Sequence, residues 1–263
     1  MLASWDQAGG AAKAMADFKG KTVVITGATG GVGRDIALDL GRGGANVVVN
    51  FATAGEKASR IVESIEGSGG RAIACRADVS RSADVERLTA AALSAFGKID
   101  VLVNSAGINI DRPFLELGED DWDRVIAVNL KGAFLCTQAV GRVMHVARSG
   151  HIVNISAGTA LVARKGAANY CASKAGVNML TQCAALELAP HVRVNCLALG
   201  FFRSEAVERL FSEKQVADVV DATPMQRMGE FEEITSAVKF LASDASSFIT
   251  GQTIAIDGGR VMR

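Results

Sequence analysis

The sequence predicts an α/β protein in which helices cover both faces of a seven-stranded parallel sheet. Short runs rich in valine and isoleucine alternate along the chain with longer segments of helical periodicity. The runs VVIT, VVV, VLV and IVNI are almost continuously apolar, as expected of parallel strands that are buried on both faces. Their β-branched content and length predict seven strands, at residues 22–26, 46–50, 71–76, 99–103, 151–155, 192–196 and 253–257.

Helices are predicted between the strands because apolar residues recur there every three to four positions. They span residues 33–42, 55–66, 82–96, 120–146, 169–188, 204–220 and 232–242. Pro113, Pro190 and Pro224 interrupt none of these spans, which agrees with the cost of proline inside a helix. Since parallel strands are joined by right-handed crossovers, the alternation of elements predicts a doubly wound, Rossmann-type sheet.

Length and composition fit a single domain that acts on small molecules. The chain has 263 residues, of which 49% are hydrophobic, enough to bury one large core. We place the domain at residues 18–263 and expect the Ala/Gly-rich residues 1–17 to form a flexible extension. Basic and acidic residues number 28 each, so net charge gives no attraction to nucleic acid or to an anionic membrane surface.

Cysteine and histidine usage argues against disulfides and metal binding. The five cysteines include no C-x-x-C pair, and the three histidines share no ligand spacing. No run approaches the ~18 apolar residues of a membrane span, and no apolar segment follows a basic start in residues 1–18. We therefore expect a cytoplasmic protein with no bound metal and no membrane partner.

A glycine-rich loop, TGATGGVG at 26–33, follows the first predicted strand and opens directly into a helix. Gly27 permits a sharp turn, Gly31 lets the backbone approach a pyrophosphate, and Gly33 allows close helix-to-strand packing. The helix N-terminus adds free N–H groups and the positive end of the helix dipole. The loop therefore predicts a dinucleotide site. Its binding residues are expected to be Gly27, Thr29, Gly30, Gly31, Val32 and Gly33.

A second candidate site contains Tyr170, the single tyrosine of the chain, and Lys174. Their spacing places both side chains on one face of a helix. A phenol beside a fixed ammonium has its anionic form favoured, so we expect the pKa of Tyr170 to be lowered. The pair can then exchange a proton with a carbinol or carbonyl oxygen.

The glycine spacing G-x-x-x-G-x-G and later motifs together resemble the short-chain dehydrogenase/reductase family. The later motifs are Asp78-Val79, NSAG at 104–107, Asn129 in VNLKGAF, YCASKAG at 170–176 and GQTIAIDGG at 251–259. The resemblance is strongest to 3-oxoacyl-carrier-protein reductases and related carbonyl reductases. It implies an NAD(P)-dependent oxidoreductase that reduces a small-molecule ketone or acyl thioester by hydride transfer, as a homotetramer or homodimer.

The resemblance also assigns roles to individual residues. It implies that Tyr170 is the general acid, that Lys174 binds the nicotinamide ribose, and that Asn129 holds a water relay to Lys174. Asp78 and Val79 would contact the adenine. The other cofactor contacts that it implies are Phe51, Thr53, Asn104, Ala106, Gly107, Gly200 and Phe202.

The end of the second strand favours NADP(H) over NAD(H). NAD selectivity rests on a carboxylate that holds the ribose 2′-hydroxyl, and Phe51 stands at that place. No acid follows before Glu56, whereas Thr53, Lys57 and Arg34 are expected nearby. The sequence therefore predicts that a 2′-phosphate is tolerated.

One catalytic position departs from the family pattern. The serine that polarises the substrate oxygen in the family falls on Ala157, and Ser156 lies one residue earlier. Because side chains alternate along a strand, Ser156 is expected to face away. Three interpretations stay open: Ser156 or Thr159 reaches the substrate through a bulge, the substrate supplies its own polar group, or the chain is a dehydratase, an epimerase or a low-activity subunit. Hydride transfer is the first interpretation because the other catalytic positions are retained.

The segment after the sixth strand departs as well. Leu199 stands where the family has proline before Gly200, and Ser204 replaces a threonine. Phe201, Phe202 and the helix predicted at 204–220 are expected either to form a lid over an apolar or acyl-like substrate or to pack against the core.

Overall fold

The computed structural model describes residues 18–203 and 211–262. Within them, one parallel sheet of seven strands has the order β3-β2-β1-β4-β5-β6-β7, which confirms the predicted fold class. The strands are β1 Thr22–Thr26, β2 Asn46–Phe51, β3 Arg71–Arg76, β4 Val101–Asn104, β5 Gly150–Ala157, β6 Val192–Leu199 and β7 Thr253–Ile256. The predicted extension at 1–17 lies outside the described residues.

The helices that cover the sheet follow the predicted order. They are α1 Gly31–Arg42, α2 Gly55–Gly67, α3 Ser82–Phe96, α4 Glu119–Ile126, α5 Gly132–Ala147, α6 Ala168–Leu188, α7 Glu213–Asp221 and α8 Phe231–Leu241. Part of the helix predicted at 204–220, including Ser204, lies outside the described residues. In the described part, the side chain of Ser212 accepts from the Gln215 N–H and caps α7.

Side chains alternate between the two faces of the sheet and build a core on each. On one face, Val23 and Ile25 of β1 belong to a cluster that includes Ile36 of α1. On the other face, Val24 belongs to a cluster that includes Leu88 of α3. Burying an aliphatic side chain of this size contributes about 1.5–3 kcal/mol. The uninterrupted apolar runs in the strands therefore stabilise both helical layers.

The helix predicted at 120–146 is in fact two helices, α4 and α5, joined by a π-helical turn at Ala127–Lys131. Such turns insert an extra residue and are frequent at functional sites. Here the turn contains Asn129, whose side chain bonds the main chain of Ile108 in the loop after β4. The prediction of one continuous helix was wrong because helical periodicity does not show a tertiary contact of this kind.

The strands β5 and β6 extend past their predicted ends at 155 and 196. Their ladder continues through the pairs Ser156 with Ala198 and Ala157 with Leu199. The small and polar residues at the end of β5 gave a weak sequence signal for a strand. They nevertheless pair with β6 in the sheet. This extension places Ala157 at the carboxyl edge of the sheet.

At the opposite edge, Arg193 of β6 holds the segment after α8. Its guanidinium donates to the carbonyl oxygens of Leu241, Ser243 and Ile249 at 2.9, 2.7 and 3.1 Å. It also lies 3.1 Å from Nδ1 of His151 in β5. Burial, and secondarily the Arg193 charge, lowers the pKa of His151 from 6.5 to about 4. The neutral imidazole therefore accepts from the guanidinium.

We predict that His151 makes the fold sensitive to acid. The unfolded state takes up a proton near pH 6.5 that the folded state resists down to about pH 4, so stability falls as pH falls through this window. The full loss is about 3 kcal/mol. In His151→Gln this component disappears while an acceptor for Arg193 remains. Urea unfolding at several pH values measures it, with exposed His145→Gln as the control. Equal acid sensitivity of His151→Gln and wild type would contradict the prediction.

Candidate active site

A cavity of about 1290 Å³ opens at the carboxyl edge of the sheet. It runs from the glycine loop and the end of β2, across the loop after β4, to the ends of β5 and β6 and the first turn of α6. In a doubly wound sheet, ligands bind at this edge where the crossovers diverge. Here they diverge between β1 and β4, which are neighbours in the sheet.

The glycine loop combines close packing with open space. A Cβ on Gly27 would lie 2.7 Å from Cα of Ala106, and one on Gly33 would lie 2.6 Å from the Gly27 oxygen. The packing role expected of Gly33 is thus confirmed, although Gly33 itself does not line the cavity. By contrast, Gly31 has a φ of +48° and no atom within 4 Å of its Cβ position. Its backbone faces room for a phosphate.

Two polar side chains hold the loops that form the cavity floor. The Thr26 hydroxyl accepts from the main-chain N–H groups of Ser105 and Ala106, each at 3.1 Å. The Asn50 carbonyl oxygen accepts from Gly27 N–H at 3.2 Å, and its amide donates to the Ala77 oxygen at 3.0 Å. Asn50 lines the cavity but was not predicted from the sequence as a site residue. An asparagine that ends an apolar strand was the available signal.

The end of β2 forms a basic region of the cavity. Phe51, Thr53, Asp78 and Val79 line this region as predicted. Arg34, Lys57 and Arg60 also line it. Among the described lining residues Asp78 is the one carboxylate, and its Oδ1 accepts from the N–H and hydroxyl of Ser80. The arrangement suits a phosphate-bearing ribose near Phe51.

The structure corrects the position expected for Asn104. Its side chain does not line the cavity but donates to Oγ1 of Thr137 at 3.0 Å and to Oδ1 of Asn154 at 2.8 Å. Asn154 in turn donates to Oγ1 of Thr181 on α6 at 2.8 Å. A buried amide must be hydrogen-bonded, and these partners lie inside the fold. Asn104 therefore ties β4 to the helices behind it, while its neighbours Ala106 and Gly107 line the cavity.

Asn129 also lies behind the cavity wall. Its amide accepts from Ile108 N–H at 2.8 Å and donates to the Ile108 oxygen at 2.9 Å and to Oγ of Ser173 at 3.0 Å. A Cβ on Gly107 would lie 3.4 Å from Asn129 Oδ1 and 3.5 Å from Lys174 Nζ. The missing side chain of Gly107 thus brings the asparagine near the lysine. The water relay implied by the family remains a prediction.

Lys174 is buried at the centre of the cavity wall. Its side chain points from α6 toward the end of β5, and its Nζ donates to the Ile155 oxygen at 2.8 Å. The residue is 4% exposed, and burial lowers its pKa to about 8. Nζ lies 5.7 Å from the centroid of the Tyr170 ring. The structure therefore brings together the two residues that the helical spacing paired.

The pKa of Tyr170 is shifted opposite to the sequence prediction. Burial raises the pKa of this phenol, while the nearby Arg164 charge lowers it to a smaller extent. The prediction considered the Lys174 ammonium and omitted the loss of water around the phenol. In the protein alone, Tyr170 is thus held more firmly in its neutral, proton-donating form.

The hydroxyl groups of Ser156 and Thr159, which lie on either side of Ala157 in the sequence, differ in their hydrogen bonding. Ser156 is 2% exposed, and its hydroxyl donates to the main-chain oxygen of Lys174 at 3.1 Å. Ala157 lines the cavity with a methyl group. Thr159 lies in the 3-10 turn Gly158–Ala160 that follows. Its Oγ1 is buried without a hydrogen-bond partner in the described residues.

The two adjacent phenylalanines after β6 have different surroundings. Phe202 lines the cavity and forms an isolated bridge with Gly229. Phe201 packs edge-on against Phe211 at 6.2 Å between ring centroids and lies 5.0 Å from the Arg260 guanidinium carbon. Of the two expectations for this pair, packing applies to Phe201 and cavity contact to Phe202. Gly200 lines the cavity as predicted.

Fold and site together define a dinucleotide-binding oxidoreductase, with a glycine loop at the first strand-to-helix turn and a tyrosine–lysine pair beside the cavity. A family model described as "Enoyl-(Acyl carrier protein) reductase" matches residues 27–260. The chain belongs to the short-chain dehydrogenase/reductase family and is an NAD(P)-dependent enzyme of that family.

Relatives cover nearly the whole chain. The chain is 42% identical to a 3-oxoacyl-(acyl-carrier-protein) reductase of Staphylococcus epidermidis, over 92% of this chain and 99% of the relative. It is 41% identical to the reductase of the same name from a Synechocystis strain, over 94% and 100%.

Solved structures show the same fold. A short-chain type dehydrogenase/reductase from Mycobacterium marinum is 35% identical with a TM-score of 0.87, covering 94% of this chain and 98% of the other. A 7α-hydroxysteroid dehydrogenase complexed with NADH and 7-oxo glycochenodeoxycholic acid is 32% identical with a TM-score of 0.88, covering 94% and 96%.

The described residues contain neither a metal-binding cluster nor a helix that could span a membrane. Across residues 18–203 and 211–262, no group of three or more histidine, cysteine, aspartate or glutamate side chains could hold a metal ion. In the same part of the chain, each helix is too short or too polar to cross a bilayer.

We predict that two loop glycines fail in different ways when changed to alanine. Gly31→Ala should weaken nucleotide binding about tenfold and cost about 1 kcal/mol of stability from its positive φ. Gly27→Ala should cost roughly 3 kcal/mol because the added methyl overlaps Ala106 as well. Nucleotide titration and urea unfolding measure the two effects. Unchanged affinity in Gly31→Ala would show that no phosphate lies against this loop.

Proposed function

We propose that the protein is an NADP(H)-dependent reductase of ketones or 3-oxoacyl thioesters. The observation that carries this proposal is the placement of Tyr170 and Lys174 together on the wall of a cavity that also contains the glycine loop. The names of the 3-oxoacyl-(acyl-carrier-protein) reductases that the chain resembles support the substrate class.

The residues present fit a dinucleotide. The open space at Gly31 and the N-terminus of α1 would receive its pyrophosphate. Asp78 and Val79 would contact the adenine, and Lys174 would hold the ribose at the other end. When bound, the reduced nicotinamide supplies a hydride to the substrate carbonyl carbon. Tyr170 donates its phenolic proton to the substrate oxygen, on which negative charge develops.

We assign the missing serine hydroxyl to Thr159. Ser156 already donates its proton to the Lys174 oxygen and loses that bond if it turns toward the substrate. Thr159 lies two residues beyond Ala157, and its buried hydroxyl has no partner among the described residues. Thr159 is not among the described residues that line the cavity, so this assignment requires its side chain to turn until a substrate oxygen satisfies the buried hydroxyl. Ser156 does line the cavity, but its bond to the Lys174 oxygen makes it a support for Lys174.

The NADP(H) preference rests on the charges at the end of β2. Arg34, Lys57 and Arg60 line the cavity there, with Phe51 at the place of an NAD-selective carboxylate. A ribose 2′-phosphate would meet three basic side chains in this region, against the single carboxylate of Asp78 among the described lining residues.

We also propose a cytoplasmic homotetramer or homodimer. Exposed apolar side chains on α5 and α6 support self-association, since large exposed apolar patches mark interaction surfaces. They include Phe134 and Val146, 43% and 84% exposed, and Met179 and Leu186, 57% and 83% exposed.

We predict NADPH oxidation with 3-oxoacyl thioesters or small ketones as substrates. Tyr170→Phe should lower kcat by about 10² to 10⁴ because the general acid is lost. Thr159→Val should lower it by about 10², and Ser156→Ala should lower it less. Steady-state absorbance assays on the four proteins measure this order.

Ala157→Ser serves as the comparison for this experiment. A moderate gain in kcat agrees with a hydroxyl added beside a working site. If wild type is inert on every carbonyl tried while Ala157→Ser is active, the chain has been diverted from reduction, as a dehydratase, an epimerase or a low-activity subunit. Equal activity of Thr159→Val and wild type would refute the assignment of Thr159.

We predict tighter binding of NADPH than of NADH, and a reversal in Phe51→Asp. The new carboxylate repels a 2′-phosphate and can bond a 2′-hydroxyl, so the ratio of the two Kd values should change by at least about tenfold. Fluorescence titration with both nucleotides measures the ratio, and Phe51→Leu is the uncharged control. Tighter binding of NADH by wild type would refute the preference for NADP(H).

A further inference from the structure

An exposed ion pair joins two loops beside Tyr170. The Arg164 guanidinium donates to both carboxylate oxygens of Asp111, at 2.8 and 2.7 Å. Asp111 lies in the loop after β4, and Arg164 lies between β5 and α6. Two parallel bonds of this kind have a defined geometry and hold their partners in one orientation.

The same two loops are connected to the residue before Tyr170. The Arg112 N–H donates to the Gly166 oxygen at 2.9 Å. The Asn169 amide donates to the Ile110 oxygen at 3.1 Å, and its own oxygen accepts from Tyr170 N–H at 2.7 Å. The loops and the first turn of α6 are therefore one hydrogen-bonded unit, and the ion pair is part of it.

Both members of the ion pair act electrically on the phenol. The positive charge of Arg164 lowers the pKa of Tyr170, and the negative charge of Asp111 raises it. On α6 itself, Cys171 also raises it, and Lys174 lies 5.7 Å from the ring centroid. Burial raises the pKa of Tyr170 more than the Arg164 charge lowers it. The two charges of the ion pair then adjust the pKa that burial sets.

We propose that Arg164 and Asp111 are positioning residues whose two-bond ion pair holds the first turn of α6 and places one charge of each sign beside Tyr170. This inference rests on the proposed function, in which Tyr170 is the proton donor. With a methyl group at Ala157, the cavity lacks a serine hydroxyl that would help stabilise charge on the substrate oxygen.

The pair is tested by neutralising its members one at a time. Arg164→Gln removes the positive charge and should raise the pKa of Tyr170, whereas Asp111→Asn leaves Arg164 uncompensated and should lower it. Because Tyr170 is the single tyrosine of the chain, ultraviolet absorbance at a fixed alkaline pH reads its ionised fraction directly. That fraction should be smaller in Arg164→Gln and larger in Asp111→Asn than in wild type.

A purely structural role for the pair would produce a different result. Each single variant removes at least one of the same two hydrogen bonds, so loosened loops alone would move the titration in the same direction in both. Opposite shifts, smaller at high salt, support the inference. Shifts of the same sign, or none, overturn it.

The control is Arg227→Gln, which breaks another exposed bidentate pair, with Glu233 at 2.8 and 2.7 Å. Arg227 is not among the groups that shift the pKa of Tyr170, so this variant should titrate like wild type. Circular dichroism at the titration pH verifies that each protein is folded. Arg164→Lys keeps the charge and should restore most of the wild-type titration if Arg164→Gln is poorly folded.

Measurements of turnover distinguish a failure of this inference from a failure of the proposed function. In an active reductase, the alkaline limb of the kcat profile should move with the absorbance titration, while NADPH affinity stays unchanged. If no carbonyl is reduced but the absorbance shifts are opposite, the proposed function fails and the electrostatic assignment stands. If turnover is normal and the absorbance shifts are not opposite, the assignment fails alone.

Discussion

Burial of a parallel sheet on both faces is the constraint on which the rest of this structure depends. The strands have apolar side chains above and below, so polar chemistry is confined to the edge where the strands end. There Thr26 and Asn50 use their side chains to fix the loops after β1 and β4. These bonds hold the two loops against each other, and together they form the floor of the cavity.

The same burial determines the chemistry of the site. Burial disfavours the charged ammonium of Lys174 and lowers its pKa to about 8. Burial also raises the pKa of Tyr170, so the phenol keeps its proton. Among the nearby charges, Arg164 lowers the pKa of the phenol, whereas Cys171 and Asp111 raise it.

Most elements could be predicted because their signals are local. The apolar runs marked the strands, and the glycine spacing with the Tyr170–Lys174 pair marked the site. The errors occurred where a long-range contact decides the local structure. The π turn at Asn129 serves Ile108, and Asn104 bonds Thr137 and Asn154 inside the fold. Neither partner can be found from periodicity, because each lies on an element distant in sequence.

The sequence by itself determined the fold class and the family and predicted the acid–base pair, since these follow from periodicity and from motifs of fixed spacing. The tertiary structure alone decided how each group is surrounded. It bonds Ser156 to the Lys174 oxygen and leaves the Thr159 hydroxyl without a partner among the described residues. It also places Arg164 against Asp111 and raises the pKa of Tyr170. These properties depend on distance and on exclusion of water, which arise only when remote segments pack together.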